Sequence, residues 1–155
     1  MFWLDPCLKQ GVQEHCDKHV VKMPLEMAQL LSGAHHLNGS VQSCNVYKLS
    51  HKAHPCMKWV SSSTEAYSAC YSMFEALCAE YTYRYGKIHK SWRDKSEILR
   101  LNPCPDIPAM NPPQCMPDIY KSDCLYQAYR TYYINDKQHI ASWTKRPAPD
   151  WFVFL

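Results

Sequence analysis

Glycine is scarce in this chain, with four glycines among 155 residues. Loops that cradle phosphates, such as G-x-G-x-x-G and G-x-x-x-x-G-K-[ST], need several closely spaced glycines, and neither pattern occurs. The G-x-S-x-G turn that carries the serine nucleophile of α/β-hydrolases is also missing. Nucleotide-cradling enzymes and serine hydrolases of these classes are therefore excluded.

Long apolar runs are missing as well. No stretch approaches the roughly 20 apolar residues that a membrane-spanning helix needs, and the first residues lack the pattern of a signal peptide. We therefore expect a cytoplasmic protein with no membrane partner. Segments in which apolar and polar residues alternate are scarce, so the pattern does not favour strands.

Cysteine is plentiful, but patterned pairs of cysteines are not found. The nine cysteines include no C-x-x-C pair, and their number is odd. Four of them fall at apolar positions of predicted helices, where a free thiol behaves as a small hydrophobic group: Cys16, Cys70, Cys78 and Cys124. We expect reduced thiols, as in a cytosolic protein, with no bound metal and no cofactor.

A metal-binding alternative stays open because the chain has eight histidines. His15 and His19 are four residues apart, a spacing seen in zinc-binding helices, but the rest of the H-E-x-x-H pattern is missing. Further candidate ligands follow along the chain at His35, His36, His51, His54 and Cys56.

Composition indicates one packed domain, residues 1–155. Apolar residues make up 46% of the chain and aromatic residues 13%, which is rich enough for a real core without disulfides. The net charge is +3 with histidine counted as neutral. That mild excess of basic residues permits a nucleic-acid partner without requiring one.

The apolar periodicity predicts an all-α, single compact domain of about four to five helices. The predicted helices span residues 5–11, 12–34, 55–85, 88–101 and 123–142. Pro24 is expected to kink the second of these, and Gly86 to end the third as a C-cap. Six of the eleven prolines fall in 102–118, which predicts a long ordered loop. The segment 145–155 is expected to be an extended aromatic C-terminal tail.

The helix predicted at 12–34 carries the densest run of reactive side chains. Helical spacing predicts one apolar stripe, made of Cys16, Val20, Met23, Met27, Leu30 and Ala34. A polar stripe lies beside it and consists of His15, His19, Lys22, Glu26 and Gln29. A carboxylate beside an amine and an imidazole suits acid–base catalysis, so we predict Glu26, His19 and Lys22 as catalytic residues. The alternative is an exposed helix face with an ordinary Lys22–Glu26 pair.

Basic residues recur among aromatic residues in three places, which suits a phosphate backbone with stacked bases. The alternative for each place is a solvated surface. The residues predicted to contact DNA are Lys18, Lys48, Lys52, Lys58, Lys87, Lys90, Arg93, Lys145, Arg146 and Trp151.

The segment HCDKHVVKMPLEMAQLL (15–31) resembles the active-site helix of the phage pyrimidine-dimer DNA glycosylase/AP lyases of the endonuclease V type. In that family a D-x-H element precedes the catalytic glutamate by seven residues, and Asp17-Lys18-His19 and Glu26 keep that spacing. The segments YKLS (47–50) and KRPAPDW (145–151) are similar in order to the family's middle and to its aromatic end, which lies against DNA. The chain also looks like uncharacterised phage-type proteins that carry HCDKH.

The resemblance implies a DNA N-glycosylase that acts on a damaged or modified pyrimidine in a phage-infected bacterial cell. Two versions of this activity are open: base release alone, and base release followed by AP lyase cleavage of the DNA strand. The α-amine of Met1 would attack the sugar C1′ and form an imine, Glu26 would stabilise the cationic sugar, and His19 would position DNA. An α-amine has a pKa of about 8, so part of it is neutral and nucleophilic at neutral pH.

The chain departs from the family at its start, because bulky Phe2 follows Met1 where the family exposes a small residue. Leu25 also stands where the family has a basic residue. Lys18 or Lys22 as nucleophile, and purely hydrolytic base release, are therefore alternatives. Two further alternatives are a base-modifying (hypermodification) enzyme on the same scaffold and a non-catalytic phage module that binds nucleic acid or a host protein. We expect a monomer.

Overall fold

The computed structural model describes all 155 residues and contains only helices and loops. Its α-helices are α1 (Leu8–Gln13), α2 (Asp17–Leu37), α3 (Pro55–Val60), α4 (Thr64–Tyr85), α5 (Lys90–Leu99) and α6 (Leu125–Asp136). Two 3₁₀ helices, Asp118–Tyr120 and Gln138–Ile140, flank α6. The prediction of a single all-α domain is confirmed, with six α-helices instead of four to five. None of these helices has the length and apolar character to cross a membrane.

The helix predicted at 12–34 is in fact two helices, and the break falls inside the reactive run. Residue Gln13 ends α1, and α2 begins at Asp17 after Cys16 in extended backbone. One tertiary contact and one local contact stabilise the break. The Asp17 amide donates to the Ser142 carbonyl at 2.8 Å, and His15 Nδ1 lies 2.7 Å from the Gly11 carbonyl oxygen. Helical periodicity cannot report such contacts, because the Ser142 partner is distant in sequence.

The other predicted boundaries also shift. The helix predicted at 55–85 is interrupted between α3 and α4, because the Ser63 side chain caps α4 by accepting from the Ala66 amide. Gly86 ends α4 in the left-handed conformation, with φ of 67°, as predicted. Cys124 is exposed and only precedes α6, so its assignment to an apolar helix face was wrong. Pro24 lies within α2, which continues through it to Leu37.

The main core forms where α2 packs against α4. Val20, Met27 and Leu31 of α2 and Phe74 and Leu77 of α4 are fully buried. Leu31 thus takes the core position that the pattern gave to its neighbour Leu30, and Leu30 is only partly buried.

A second, smaller core lies under α6 and the C-terminal tail. Its buried members are Leu4, Cys16, Tyr129, Tyr133 and Phe152. The tail is free of regular structure, as predicted, but it folds back so that Phe152 is covered.

A buried ion network centred on Arg84 joins α4, α2 and the tail. The Arg84 side chain is fully buried and donates to Glu80 Oε1 at 2.7 Å, to Asp17 Oδ1 at 2.9 Å and to the Gln13 carbonyl at 2.9 Å. Burial raises the pKa of Glu80, but hydrogen bonds from Arg146 and Arg84 outweigh it and hold the pKa below its usual value. The network positions the start of α2, and hence the residues that follow on that helix.

Candidate functional site

A cavity of about 420 Å³ lies along one face of α2. The helix contributes residues at spacings of three and four, so that His19, Lys22 and Glu26 share one wall of the cavity with Met23 and Leu30. The volume falls in the range of about 300–1,000 Å³ that small-molecule sites occupy. The three side chains predicted as catalytic therefore line the same concave surface.

His19 is held tightly at one end of this wall. Its Nδ1 is hydrogen-bonded to the Tyr133 hydroxyl, and the Phe2 ring stacks on the imidazole with centroids 4.4 Å apart. Burial is the main cause that lowers the pKa of His19 to about 3, and the proximity of His15 and Lys137 adds to it. The imidazole is therefore neutral near pH 7. Its Nε2 makes no hydrogen bond within the protein, which leaves it free for a molecule in the cavity.

Glu26 and Lys22 form an ion pair at the more open part of the wall. Lys22 Nζ lies 3.1 Å from Glu26 Oε1, and the two side chains are 70% and 38% exposed. A pair this exposed stabilises a fold by only about 0.3–0.5 kcal/mol, so stability alone is a weak reason for it. Met1 also lines the cavity, but its α-amine forms no ion pair with Glu26. Among the chain's amines, the one paired with Glu26 is that of Lys22.

A cluster of one imidazole and two thiols lines the same cavity. The ligand atoms of His54, Cys56 and Cys115 all lie within 4.8 Å of one another, and the two sulfur atoms are 3.4 Å apart. His54 Nδ1 accepts from the Cys56 amide at 3.1 Å and so caps α3. The hydrogen bond between the thiols lowers the pKa of Cys115 and raises that of Cys56, so Cys115 ionises first.

Several residues of the cavity wall were not predicted from the sequence, among them Cys115, Tyr132 and Lys137. Lys137 Nζ donates to the Tyr132 hydroxyl at 3.0 Å and lies 4.4 Å from the centre of the Tyr132 ring. Cys115 comes from the proline-rich loop 102–118 and lies 59 residues beyond Cys56. No local motif marks any of the three, because only the tertiary fold brings them to α2.

Other members of the HCDKH run have structural contacts. His15 is fully buried, and burial lowers its pKa to about 4. Cys16 belongs to the second core. Asp17 accepts from Arg84 and from the amide and hydroxyl of Thr144, each at 2.9 Å. Placing His15 on the polar stripe beside His19 was therefore wrong, since His15 precedes α2 and points into the core.

The predicted DNA contacts fall into two groups. Eight of the predicted residues are exposed to solvent: Lys18, Lys48, Lys52, Lys58, Lys87, Lys90, Arg93 and Lys145. Arg146 and Trp151 are instead engaged within the fold. Arg146 donates to both carboxylate oxygens of Glu80, at 3.0 and 2.9 Å, and Trp151 packs against Tyr133 of the second core.

The exposed lysines differ in how close they lie, in sequence, to the residues that line the cavity. Lys48 and Lys58 flank the segment from Ser50 to Met57, and Lys52 lies within it; this segment supplies several residues to the cavity wall. Lys18 instead borders a separate shallow groove beside Tyr85. The 48–58 segment is thus the part of the predicted DNA surface that is continuous in sequence with the cavity.

Comparison with known protein families, with curated proteins and with solved structures yields no match for this chain. The relationship to the endonuclease V-type glycosylases therefore stays a prediction from sequence. The function has to be argued from the cavity itself.

Proposed function

We propose that this chain is a DNA base-processing enzyme, an N-glycosylase acting on a damaged or modified pyrimidine. The observation that carries the proposal is that Glu26, Lys22 and His19 line one cavity of about 420 Å³. An enzyme that acts on a base inside a duplex must first flip the nucleotide out of the stack and hold it in such a pocket. The surrounding aromatic and apolar side chains, such as Phe2 and Tyr132, suit a planar base.

Glu26 is the proposed essential carboxylate. Breaking the bond between sugar and base leaves positive charge on the sugar, and a carboxylate fixed near that charge stabilises the transition state. Glu26 is only partly exposed and lies on a helix, which limits its freedom to move away. Lys22 beside it orients the carboxylate through the 3.1 Å ion pair.

His19 acts in this proposal as a neutral hydrogen-bonding group. A pKa of about 3 makes it unsuitable as a proton donor near neutral pH. With Nδ1 engaged by Tyr133, the free Nε2 contacts the flipped nucleotide. His19 is therefore expected to affect substrate binding and orientation more than proton transfer.

The nucleophile distinguishes two routes. If the neutral amine of Lys22 or of Met1 attacks C1′, the bond from C1′ to the base breaks and the base leaves with the bonding electrons and one amine proton. The sugar ring then opens as O4′ takes up the second amine proton, and borohydride reduces and so traps the resulting imine. If water attacks instead, the base is released and no adduct forms. Both residues line the cavity, so the amine of each has to be removed or blocked in a separate experiment.

The test uses duplex oligonucleotides that carry a cyclobutane pyrimidine dimer, an oxidised pyrimidine or a hypermodified pyrimidine, with base release measured by mass spectrometry. Glu26→Gln is expected to lower the rate at least about 10²-fold, as losing a key electrostatic group does, while anisotropy shows nearly unchanged DNA binding. Glu97→Gln is the matched control, because Glu97 is an exposed helical carboxylate with a basic partner, Arg100, and lies outside the cavity.

Full activity of Glu26→Gln would refute the assignment of the carboxylate. DNA binding without any base release by the unaltered protein would instead favour the non-catalytic module. A base that is changed in mass but stays on the DNA would favour the base-modifying alternative. If borohydride trapping is lost in Lys22→Met, the nucleophile is the Lys22 amine. If trapping is lost only after the α-amine is blocked, the nucleophile is the amine of Met1.

A further inference from the structure

The cavity holds a second set of reactive groups that the proposed glycosylase chemistry does not use. His54 and Cys56 come from the start of α3, and Cys115 comes from the proline-rich loop, yet their ligand atoms lie within 4.8 Å of one another. All three also line the cavity that contains Glu26. Convergence of two thiols and an imidazole from distant segments is the feature to be explained.

The geometry is close to that of a metal site. Tetrahedral zinc with bonds of about 2.0–2.3 Å to nitrogen and sulfur keeps its ligand atoms about 3.3–3.8 Å apart. Cys56 and Cys115 Sγ lie 3.4 Å apart, within that range, and well beyond the roughly 2.05 Å of a disulfide bond. All the ligand atoms lie within 4.8 Å of one another, so they need to move only slightly closer together to reach the spacing of a tetrahedral zinc site.

The donor set selects the class of metal. Thiolate and imidazole ligands favour zinc and other first-row transition ions over magnesium and calcium, which prefer oxygen. Zinc sites with three protein ligands keep a fourth position for water or substrate, whereas structural sites use four protein ligands. Because the three groups line the cavity, the fourth position opens towards it.

The surroundings hold two of the ligands in place. The Cys115 amide donates to the Tyr129 hydroxyl at 3.2 Å, and that hydroxyl donates to the Pro113 carbonyl at 2.9 Å, which fastens the loop to α6. Cys56 is buried in the first turn of α3. His54 is exposed, and its Nδ1 now caps α3, so coordination by the imidazole exchanges that cap for a metal bond.

We propose that His54, Cys56 and Cys115 bind a zinc-class divalent ion whose fourth position opens into the cavity. The proline-rich loop then has a functional role, since it supplies the third ligand, Cys115. The site stands independently of the glycosylase proposal. If the chain is the glycosylase proposed above, a water bound to this metal would be a nucleophile that requires no amine.

The test is metal analysis of the full chain, purified without a histidine tag and under reducing conditions. We expect about one zinc per chain after growth with zinc, and thiolate-to-metal absorption bands when cobalt(II) replaces zinc. The variants His54→Asn and Cys115→Ser should each lower zinc affinity by more than the roughly 10–100-fold that losing an outer-shell partner costs. Asparagine retains an N-cap acceptor, so His54→Asn removes the ligand without removing the cap.

The matched controls are His51→Asn and Cys104→Ser. His51 lines the same cavity but lies outside the cluster, and asparagine tolerates its positive φ of 51°. Cys104 is a partly buried thiol in the same proline-rich loop. Both controls should bind zinc as the unaltered chain does.

Absence of zinc and of cobalt bands in reduced protein would overturn the proposal, and so would equal zinc affinity in Cys115→Ser and Cys104→Ser. A disulfide between Cys56 and Cys115 that forms while the reduced chain binds no metal would also overturn it. Because the readout is metal content and spectrum, failure of base release leaves this result unaffected.

Discussion

His15 gives the sharpest test of how the start of α2 is built. Its side chain is fully buried, with Nδ1 2.7 Å from the Gly11 carbonyl oxygen and Nε2 without any partner. Since Nδ1 donates to that carbonyl, the neutral ring suits this environment and the cation does not. Burial lowers the pKa of His15 from 6.5 to about 4. The replacement His15→Asn keeps a donor for Gly11 and cannot titrate.

The sign and size of the effect follow from this pKa. Between pH 6.5 and about 4, the unfolded chain binds a proton at this site and the folded chain does not, so stability falls as pH falls. A shift of 2.5 units from 6.5 to about 4 corresponds to at most about 3 kcal/mol. Between pH 7 and pH 5, about 2 kcal/mol of that should be lost.

The assay is urea unfolding followed by far-ultraviolet circular dichroism at pH 7 and pH 5, with a chelator present so that metal release does not contribute. The unaltered chain should lose about 2 kcal/mol more between the two pH values than His15→Asn does. His139→Asn is the control, because His139 is exposed, and it should behave as the unaltered chain does. Equal losses in the unaltered chain and His15→Asn would refute the buried, neutral imidazole.

Two further substitutions test the framework around the cavity. Replacing Arg84 by methionine leaves the buried carboxylate of Glu80 and the partly buried carboxylate of Asp17 without this partner. Unfolding should therefore become easier by about 3–5 kcal/mol in urea, and a loss below about 1 kcal/mol would contradict the network. Gly33→Ala places a methyl group against the thioether of Met57, which lines the cavity. That change should cost about 1–3 kcal/mol in thermal or urea unfolding and alter cavity binding, and an unchanged stability would show that the side chain moves away freely.

The wall of α2 could be predicted from the sequence because its information is local. Lys22 and Glu26 are one turn apart, and any helix over these residues puts them on the same face as His19. The apolar stripe predicts which side meets the core, and Val20 and Met27 are indeed fully buried. The polar side that remains must then face a cleft or water.

The rest of the cavity could not be predicted, because long-range packing assembles it. Cys115 lies in a loop without periodicity, and Lys137 follows α6, 100 residues after the end of α2. The helix break before Asp17 was missed for the same reason, since its stabilising partners include Ser142 and Arg84. Sequence patterns report which face of a helix is buried, and they do not report which distant segment covers it.

The ion pair between Lys22 and Glu26 bears directly on which nucleophile operates. An amine paired with a carboxylate at 3.1 Å is cationic and has no free electron pair with which to attack carbon. Attack by Lys22 therefore requires that substrate first separate the pair and remove a proton. A water molecule, free or held by the His54, Cys56 and Cys115 cluster, needs no such step and leaves Glu26 paired and oriented for the sugar. On this reasoning Lys22→Met should slow base release and leave it measurable, whereas Glu26→Gln should remove it. An outcome in which Lys22→Met alone abolishes both base release and borohydride trapping would assign the attack to the lysine.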